Sequence, residues 1–338
     1  MTFSQVLPSS THRIGKIKSF LEHMGLDFSP DIELFVIAQR DNAIVACGGI
    51  AGKVLKNIAI DESVQGEGVA LMLMSELLKV AYSSGRDELF VFTKPMYKDV
   101  FESCGFKYID EAAGKIILME NRYNIEEYKR KLRKLKQQGD IIGSIVMNCN
   151  PFTLGHRYLV EQASQECAWV HLFIVKEDAS FFSFDDRKEL IHQGLADLPN
   201  VTIHDGSDYI ISKATFPTYF IKDKGQIDAL FTELDLNIFR HHIAPTLGIT
   251  HRFVGKEPLC AVTNEYNQQM KKILSRPDTS PAIEVVERER IAYKDEPISA
   301  SRVRRLMQEK NVEEISHLVP PTTLAFIQTM VPKNEDNP

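Results

Sequence analysis

Two stretches far apart in the chain combine residue types that suit phosphate chemistry. The first is N-C-N-P-F-T-L-G-H, Asn148–His156. An apolar run, Ile141–Met147, reads as a buried strand leading straight into it, and a helix is expected where it ends. Pro151 and Gly155 would set the turn. A helix N-terminus presents unpaired backbone N–H groups and the positive end of a dipole, a ready anion site. His156 would sit on that first turn, pointing at the anion, and Thr153 can donate a neutral hydrogen bond. The second stretch is P-I-S-A-S-R-V-R-R-L-M, Pro297–Met307. Ser299 and Ser301 precede a helix there, and Arg304 lies one turn in. Hydroxyls and N-terminal amides cradle phosphate oxygens, and a guanidinium pairs with a leaving pyrophosphate. Each stretch also has an ordinary reading: a helix-terminal histidine, and a serine cap before a basic helix face.

A third stretch, V-Q-G-E-G-V-A-L-M-L-M (Val64–Met74), follows a strand-like run and opens a helix. Gln65, Gly66, Gly68 and Ala70 would let backbone N–H groups approach a pyrophosphate. Acid–base candidates near it are Glu62 and Tyr97, by position only; a surface acid and a packed aromatic are the preferred readings. Cys104 reads as a small buried hydrophobe rather than a nucleophile.

The elements that must position these residues fall into two groups. The chain has 338 residues, enough for two domains with large cores and no need of disulfides. Hydrophobic residues make up 43% and charged residues 25%, which excludes disorder, collagen and coiled coil as the main class. A net charge of −6 argues against nucleic acid as a partner. Five scattered cysteines without a C-x-x-C pair read as free thiols in a reducing compartment. There is neither a signal-peptide pattern nor an apolar stretch long enough for a membrane, so a soluble cytoplasmic protein is expected.

Residues 1–122 give a mixed α+β order: a helix near Thr11–Met24, strands at Leu34–Ala38, Ile44–Ile50 and Val54–Ile60, a helix over Val69–Tyr82, then further strands around a short helix. Residues 123–140 read as a charged linker helix ended by Gly139. Its basic residues suit a solvated face better than a phosphate patch. In residues 141–338 strands and helices alternate, which argues for a parallel sheet covered on both faces.

The T-x-G-H stretch resembles the signature of the nucleotidyltransferase superfamily, and I-S-A-S-R-V-R resembles the I-S-x-[ST]-x-x-R motif that closes the same site. On that resemblance Thr153, His156 and Arg304 form the catalytic set. Asn150, Phe152, Gly155, Gly255, Ser299, Ser301 and Arg187 bind ATP. Gly255 and Glu257 loosely match a G-x-[DE] element, and Arg187 reads equally well as a surface arginine. The Gln65–Ala70 loop, with F-E-S-C-G-F (Phe101–Phe106), resembles the acetyl-CoA-binding region of GNAT acetyltransferases. The implied architecture is an α+β GNAT-like domain followed by an α/β, Rossmann-like nucleotidyltransferase domain with a parallel sheet.

Both motifs in this order, with S-F-F-S-F-D-D-R (Ser180–Arg187) and R-F-V-G-K-E-P-L-C-A-V-T-N-E-Y-N (Arg252–Asn267), resemble the [citrate (pro-3S)-lyase] ligase family over nearly the whole chain. The resemblance implies an acid–thiol ligase. It would use ATP with Mg²⁺ to activate acetate as acetyl-adenylate. It would then acetylate the phosphoribosyl-dephospho-CoA thiol of the citrate lyase acyl carrier subunit, releasing AMP and pyrophosphate. Gln65, Gly66, Gly68 and Ala70 would hold that CoA-like arm. The resemblance gives no metal ligands. Phe216–Phe220 is a candidate lining for a small acyl pocket, or plain core. Three other readings stand at this point: a nucleotidyltransferase making a CoA-type or dinucleotide cofactor, an N-acetyltransferase with an added domain, and a non-catalytic module that captures a carrier protein.

Overall fold

A computed structural model describes residues 1–176, 181–212, 229–257, 261–277 and 281–330. The Phe216–Phe220 stretch lies outside them. The chain divides into two compact units, Met1–Tyr128 and Lys129–Pro338.

The first unit runs β1 (Thr2–Val6), α1 (Thr11–His23), β2 (Leu34–Arg40), β3 (Ala43–Ala51), β4 (Val54–Ile60), α2 (Val69–Ser83), β5 (Phe90–Thr93), α3 (Lys98–Ser103), β6 (Lys107–Ala112) and β7 (Ile116–Glu120). They form a seven-stranded sheet in the order β1-β2-β3-β4-β5-β7-β6. Alternation along each strand separates two cores. Phe35, Ile37 and Cys47 pack with α1 through Ile17 and Leu21. Val36, Ala38 and Ala46 pack with α2 through Leu73 and Leu77. Every pairing in this sheet is antiparallel except β4 with β5, which share only two rungs, Val54↔Phe90 and Leu55↔Val91. Beyond Leu55 the two strands share no rungs. The Gln65–Gly68 loop follows β4 on the side where this pairing has ended.

The boundary between units falls within α4 (Asn124–Arg133). The expected linker helix is thus shorter at its C-terminal end. Ile125 and Leu132 are buried, but Leu135 is 42% exposed, and past Arg133 the segment K-L-K-Q-Q-G-D offers no apolar face to hold a further turn.

The second unit begins with β8 (Ile142–Met147), α5 (Leu154–Glu166), β9 (Trp169–Ile174), α6 (Phe184–Gly194), β10 (Val201–His204) and α7 (Ala229–Ile238). A π-helical turn, Phe239–Ile243, carries α7 into α8 (Ala244–Leu247). There follow β11 (His251–Gly255), α9 (Ala261–Leu274), β12 (Glu284–Arg288) and a small hairpin of β13 (Ala292–Tyr293) and β14 (Glu296–Pro297). Three helices end the described chain: α10 (Ala300–Gln308), α11 (Val312–Ser316) and α12 (Pro321–Met330). The five-stranded sheet has the order β10-β9-β8-β11-β12 and is parallel throughout. One face packs Ile145, Met147, Leu172 and Phe253 with side chains of α5, α6, α10 and α12. The other face carries Phe173 edge-on to Phe239, and Arg252 over the same ring.

That second face also buries two histidines. His171 Nδ1 lies 2.8 Å from His204 Nε2, and both side chains are buried. Burial pushes both imidazoles below their ordinary pKa, and His171 lowers His204 further. Unfolded histidine takes up a proton near pH 6.5, whereas this pair stays neutral, so the unfolded chain binds more protons there. Stability contributed by the pair is therefore present above pH 6.5 and lost as the pH falls through that value. We expect unfolding free energy to drop between pH 7.5 and 5.5 by up to about 1.4 kcal/mol per pH unit per histidine. Denaturant unfolding of the wild type and of His171→Gln checks this: the variant should show the shallower slope, and equal slopes would contradict it.

Candidate active site

Sheet order identifies one end of the second unit as the place for a ligand. The chain builds β8, β9 and β10 outward in one direction, then returns to place β11 and β12 on the other side of β8. In such sheets the crevice lies at this reversal, beyond the carboxyl ends of the strands. Here β8 and β11 share only the rungs His251↔Gly143 and Arg252↔Ser144, toward their amino ends. Asn148–His156 leaves β8 at the opposite end, and Pro297–Met307 meets it where Gly155 lies against the Ile298 carbonyl.

Thr153 caps α5, and His156 is the third residue of that helix. The Thr153 backbone N–H donates to His156 Nδ1 at 3.1 Å, and Thr153 Oγ1 accepts the His156 backbone N–H at 3.3 Å. A backbone N–H can only donate, so Nδ1 carries the lone pair and the ring proton sits on Nε2. Burial, with the nearby charge of Arg290, pushes the imidazole pKa down to about 4. His156 is thus a neutral ring held by its inner nitrogen, with Nε2–H left to donate. Phe152, fully buried, lies flat against that ring at 6.0 Å between centroids. Its side chain has no path to a ligand and serves as a backstop. Thr153 is likewise fully buried, its oxygen 3.0 Å from Nδ1, so it orients the histidine from beneath.

Among the first amides of α5, that of Leu154 donates to the Leu318 carbonyl and that of His156 to Thr153. The Gly155 N–H has no such partner among the described residues and remains for an anion. Gly155 also lets the two motifs meet. A Cβ there would lie 3.0 Å from the Ile298 carbonyl oxygen, directly before the Ser299 cap of α10.

The three arginines of α10 separate cleanly. Arg302 is buried and anchored to the Tyr293 and Glu296 carbonyls and to the Glu314 carboxylate. Arg305 is exposed beside Glu296. Arg304 is half-buried, donating to the Asn150 carbonyl and, at 3.3 Å, to Ser301 Oγ. It has no carboxylate within ion-pair reach among the described residues, and burial pulls its pKa down. A half-buried cation bridging both motifs with no counter-charge favours an anionic ligand.

Not every expected residue faces this crevice. Arg187 is fully buried and donates to Asn148 O, Asn148 Oδ1 and Val175 O. It ties together the chain leaving β8 and β9, supporting the loop from behind. Asn150 spends Oδ1 on the Phe182 N–H, which fixes the loop against the segment before α6. Ser299 Oγ accepts the Arg302 N–H, and its hydroxyl proton remains available. Gly255 ends β11, and Glu257 pairs with Arg290, a residue that sequence reading missed. Arg290 sits in a run of charges, E-R-E-R, whose period gives no hint which member turns inward.

In the first unit Gly66 and Gly68 are exposed with φ of 84° and 75°, a left-handed conformation that favours glycine. Gly68 is the N-cap of α2, and a Cβ there would meet no protein atom within 4 Å. The space above the loop is open. Glu62 is exposed, and Tyr97 is 46% exposed rather than packed. Burial raises the Cys104 thiol pKa, which suits packing rather than attack.

Comparison with known proteins agrees with both halves. Residues 142–327 match the family model for the citrate lyase ligase C-terminal domain, and residues 16–115 match that for the acetyltransferase (GNAT) domain. The chain is 47% identical to [Citrate [pro-3S]-lyase] ligase of Escherichia coli strain K12, over 97% of this chain and 94% of that protein. It is 51% identical to the protein of the same name from Klebsiella pneumoniae, over 93% and 92% of the two chains. A more distant likeness, 26% identity over 58% of this chain and 98% of the relative, is to phosphopantetheine adenylyltransferase of Streptococcus uberis.

Proposed function

Because the chain belongs to the citrate lyase ligase family, we propose that it joins acetate to the CoA-like thiol of the citrate lyase acyl carrier subunit at the expense of ATP. The observation that carries this reading is that neutral His156 opens α5 while Arg304, with no carboxylate partner among the described residues, reaches from α10 to the Asn150 carbonyl in the loop before it. A carboxylate oxygen of acetate attacks the α-phosphorus as the bond to the bridging oxygen of pyrophosphate breaks. His156 Nε2–H and the Gly155 N–H donate to the non-bridging oxygens. Arg304, with the Ser299 and Ser301 hydroxyls, receives the charge that builds on pyrophosphate. These groups are fixed before reaction, so catalysis comes from positioning and electrostatics. In the second half-reaction the carrier thiolate attacks the acetyl carbonyl carbon, and the bond to AMP breaks. The thiol proton passes to solvent, and no enzyme nucleophile takes part.

Mg²⁺ enters as part of the ATP substrate. Among the described residues no three His, Cys, Asp or Glu side chains cluster to hold a metal ion, and no step is assigned to one. No helix among the described residues is long and apolar enough to cross a membrane. Cytoplasmic residence remains part of this reading.

Labelled acetate, ATP and the deacetylated carrier subunit should yield one labelled thioester and one AMP per turnover. Label that reaches an amine, or ATP consumed with no labelled thioester formed, would contradict the reading.

The glycine loop of the first unit divides the labour. Gly68→Val forces a branched side chain into a left-handed backbone and fills the open space above the loop. We expect thioester formation to fall at least about tenfold, the scale of one lost charge-assisted contact, with adenylation nearly unchanged. Both half-reactions on one folded variant test this. Equal loss of both would show that the first unit is needed for adenylation, and loss of neither that the arm binds elsewhere.

A further inference from the structure

Arg290 follows β12 at the carboxyl edge of the parallel sheet, where β11 also ends. Its Nε donates to the Lys256 carbonyl at 2.7 Å, and its Nη2 pairs with the Glu257 carboxylate. The Glu257 side chain is only 9% exposed, whereas that of Arg290 is 29% exposed. The acid is thus a sheltered anchor and the base reaches solvent. Nη1 of Arg290 hydrogen-bonds no described residue. Gly255, at the end of β11, lies beside it: a Cβ there would be in ordinary contact with Arg290 Nε, at 3.8 Å. The next residue, Ile291, accepts the Ile298 N–H, which ties the segment to the approach of α10. The guanidinium lies close enough to His156 to help hold that ring neutral.

We propose that Arg290 is a second cation of this phosphate site, binding the polyphosphate of ATP and the departing pyrophosphate, with Glu257 as its positioning residue. The proposal deepens the adenylating reading and rests on it. An arginine tethered through two nitrogens has already lost most of its rotamer freedom, so the third can meet an oxyanion at little further cost. The pairing with Glu257 does not use up the group, because guanidinium has five N–H donors. Arg290 and Arg304 would then grip the polyphosphate from the β11 side and the α10 side. The same charge beside His156 keeps the imidazole in the form whose Nε2–H donates.

The test uses the full chain and two probes, ATP and inorganic pyrophosphate, titrated calorimetrically without acetate. Arg290→Ala should weaken both by about 10–100-fold, the range for a lost charge-assisted contact, while the KM for acetate in the exchange reaction stays within about twofold. By NMR the His156 ring should titrate at higher pH in this variant than in the wild type. Glu257→Gln should weaken pyrophosphate by a smaller factor without altering the acetate KM. Wild-type affinity of Arg290→Ala for both probes overturns the assignment, as does an unmoved His156 titration. If that variant does not fold, Arg290→Lys carries the test: it keeps the charge without the two-point tether and should bind pyrophosphate at least about threefold more weakly, and wild-type affinity overturns the proposal. Failure of the ligase reading shows separately, as wild-type protein that binds ATP and pyrophosphate yet gives no acetate-dependent exchange.

Discussion

His156→Ala is expected to slow adenylation of acetate by about 10²–10³, the usual scale for removing one preorganised donor from a developing charge. The fold should survive. The ring contacts Thr153 and Phe152, but Phe152 itself stays packed in the core, where Gly194 leaves room for it: a Cβ at Gly194 would lie 2.5 Å from the Phe152 ring. Because the imidazole pKa is pushed down to about 4, the ring is neutral throughout pH 6–8. It gains a proton only as the pH falls toward 4. Adenylation by the wild type should therefore show no loss attributable to this histidine between pH 6 and 8. Thr153→Val should give a milder defect of the same kind, since it removes the Oγ1 contact and the helix cap while the backbone N–H still holds Nδ1. Exchange kinetics of His156→Ala equal to the wild type would remove this helix from the phosphate site.

Arg304→Ala is expected to raise the KM for ATP and lower the maximal rate together, for a combined loss of about 10² in kcat/KM. The guanidinium links the Asn150 carbonyl on the β8 side to Ser301 on α10, so its loss removes a charge and a clamp at once. Arg304→Lys should recover part of the rate, because it restores the charge but not the fork. Arg302→Ala makes an informative contrast. That side chain is buried against Glu314 and two carbonyls, so its loss should lower stability first, through buried acceptors left unpaired. A KM for ATP unaffected in folded Arg304→Ala would contradict the assignment.

Much of this site could be read from local chemistry. The strand–turn–helix sense of Ile141–His156 follows from an apolar run, a turn and a capping threonine, and the structure has that order. Motif spacing singles out Arg304 among its neighbours; in the structure Arg302 is buried and Arg305 is ion-paired with Glu296. What sequence could not supply was direction across the chain. Arg187 opens a helix as a surface arginine would, yet its partners are the Asn148 and Val175 carbonyls, on segments that only the folded sheet brings together. Arg290 was hidden for the converse reason. Its partner Glu257 lies on another strand end, and nothing in E-R-E-R distinguishes it from a solvated run. The first strand, Thr2–Val6, leaves no alternating pattern in the sequence because its burial is shallow, with only Val6 fully inside. Charge composition sets no end point for the linker helix, whereas the end of apolar burial after Leu132 does.

The central claim is that the second unit activates a carboxylate with ATP. Isotope exchange between labelled pyrophosphate and ATP tests it most directly, because it requires reversible formation of an acyl-adenylate and nothing from the carrier protein. With a panel of small carboxylates and no carrier present, label should enter ATP when acetate is supplied and stay at background without a carboxylate. Label entering ATP equally well without any carboxylate, but with a pantetheine phosphate instead, would contradict the account and mark the site as one that builds a cofactor.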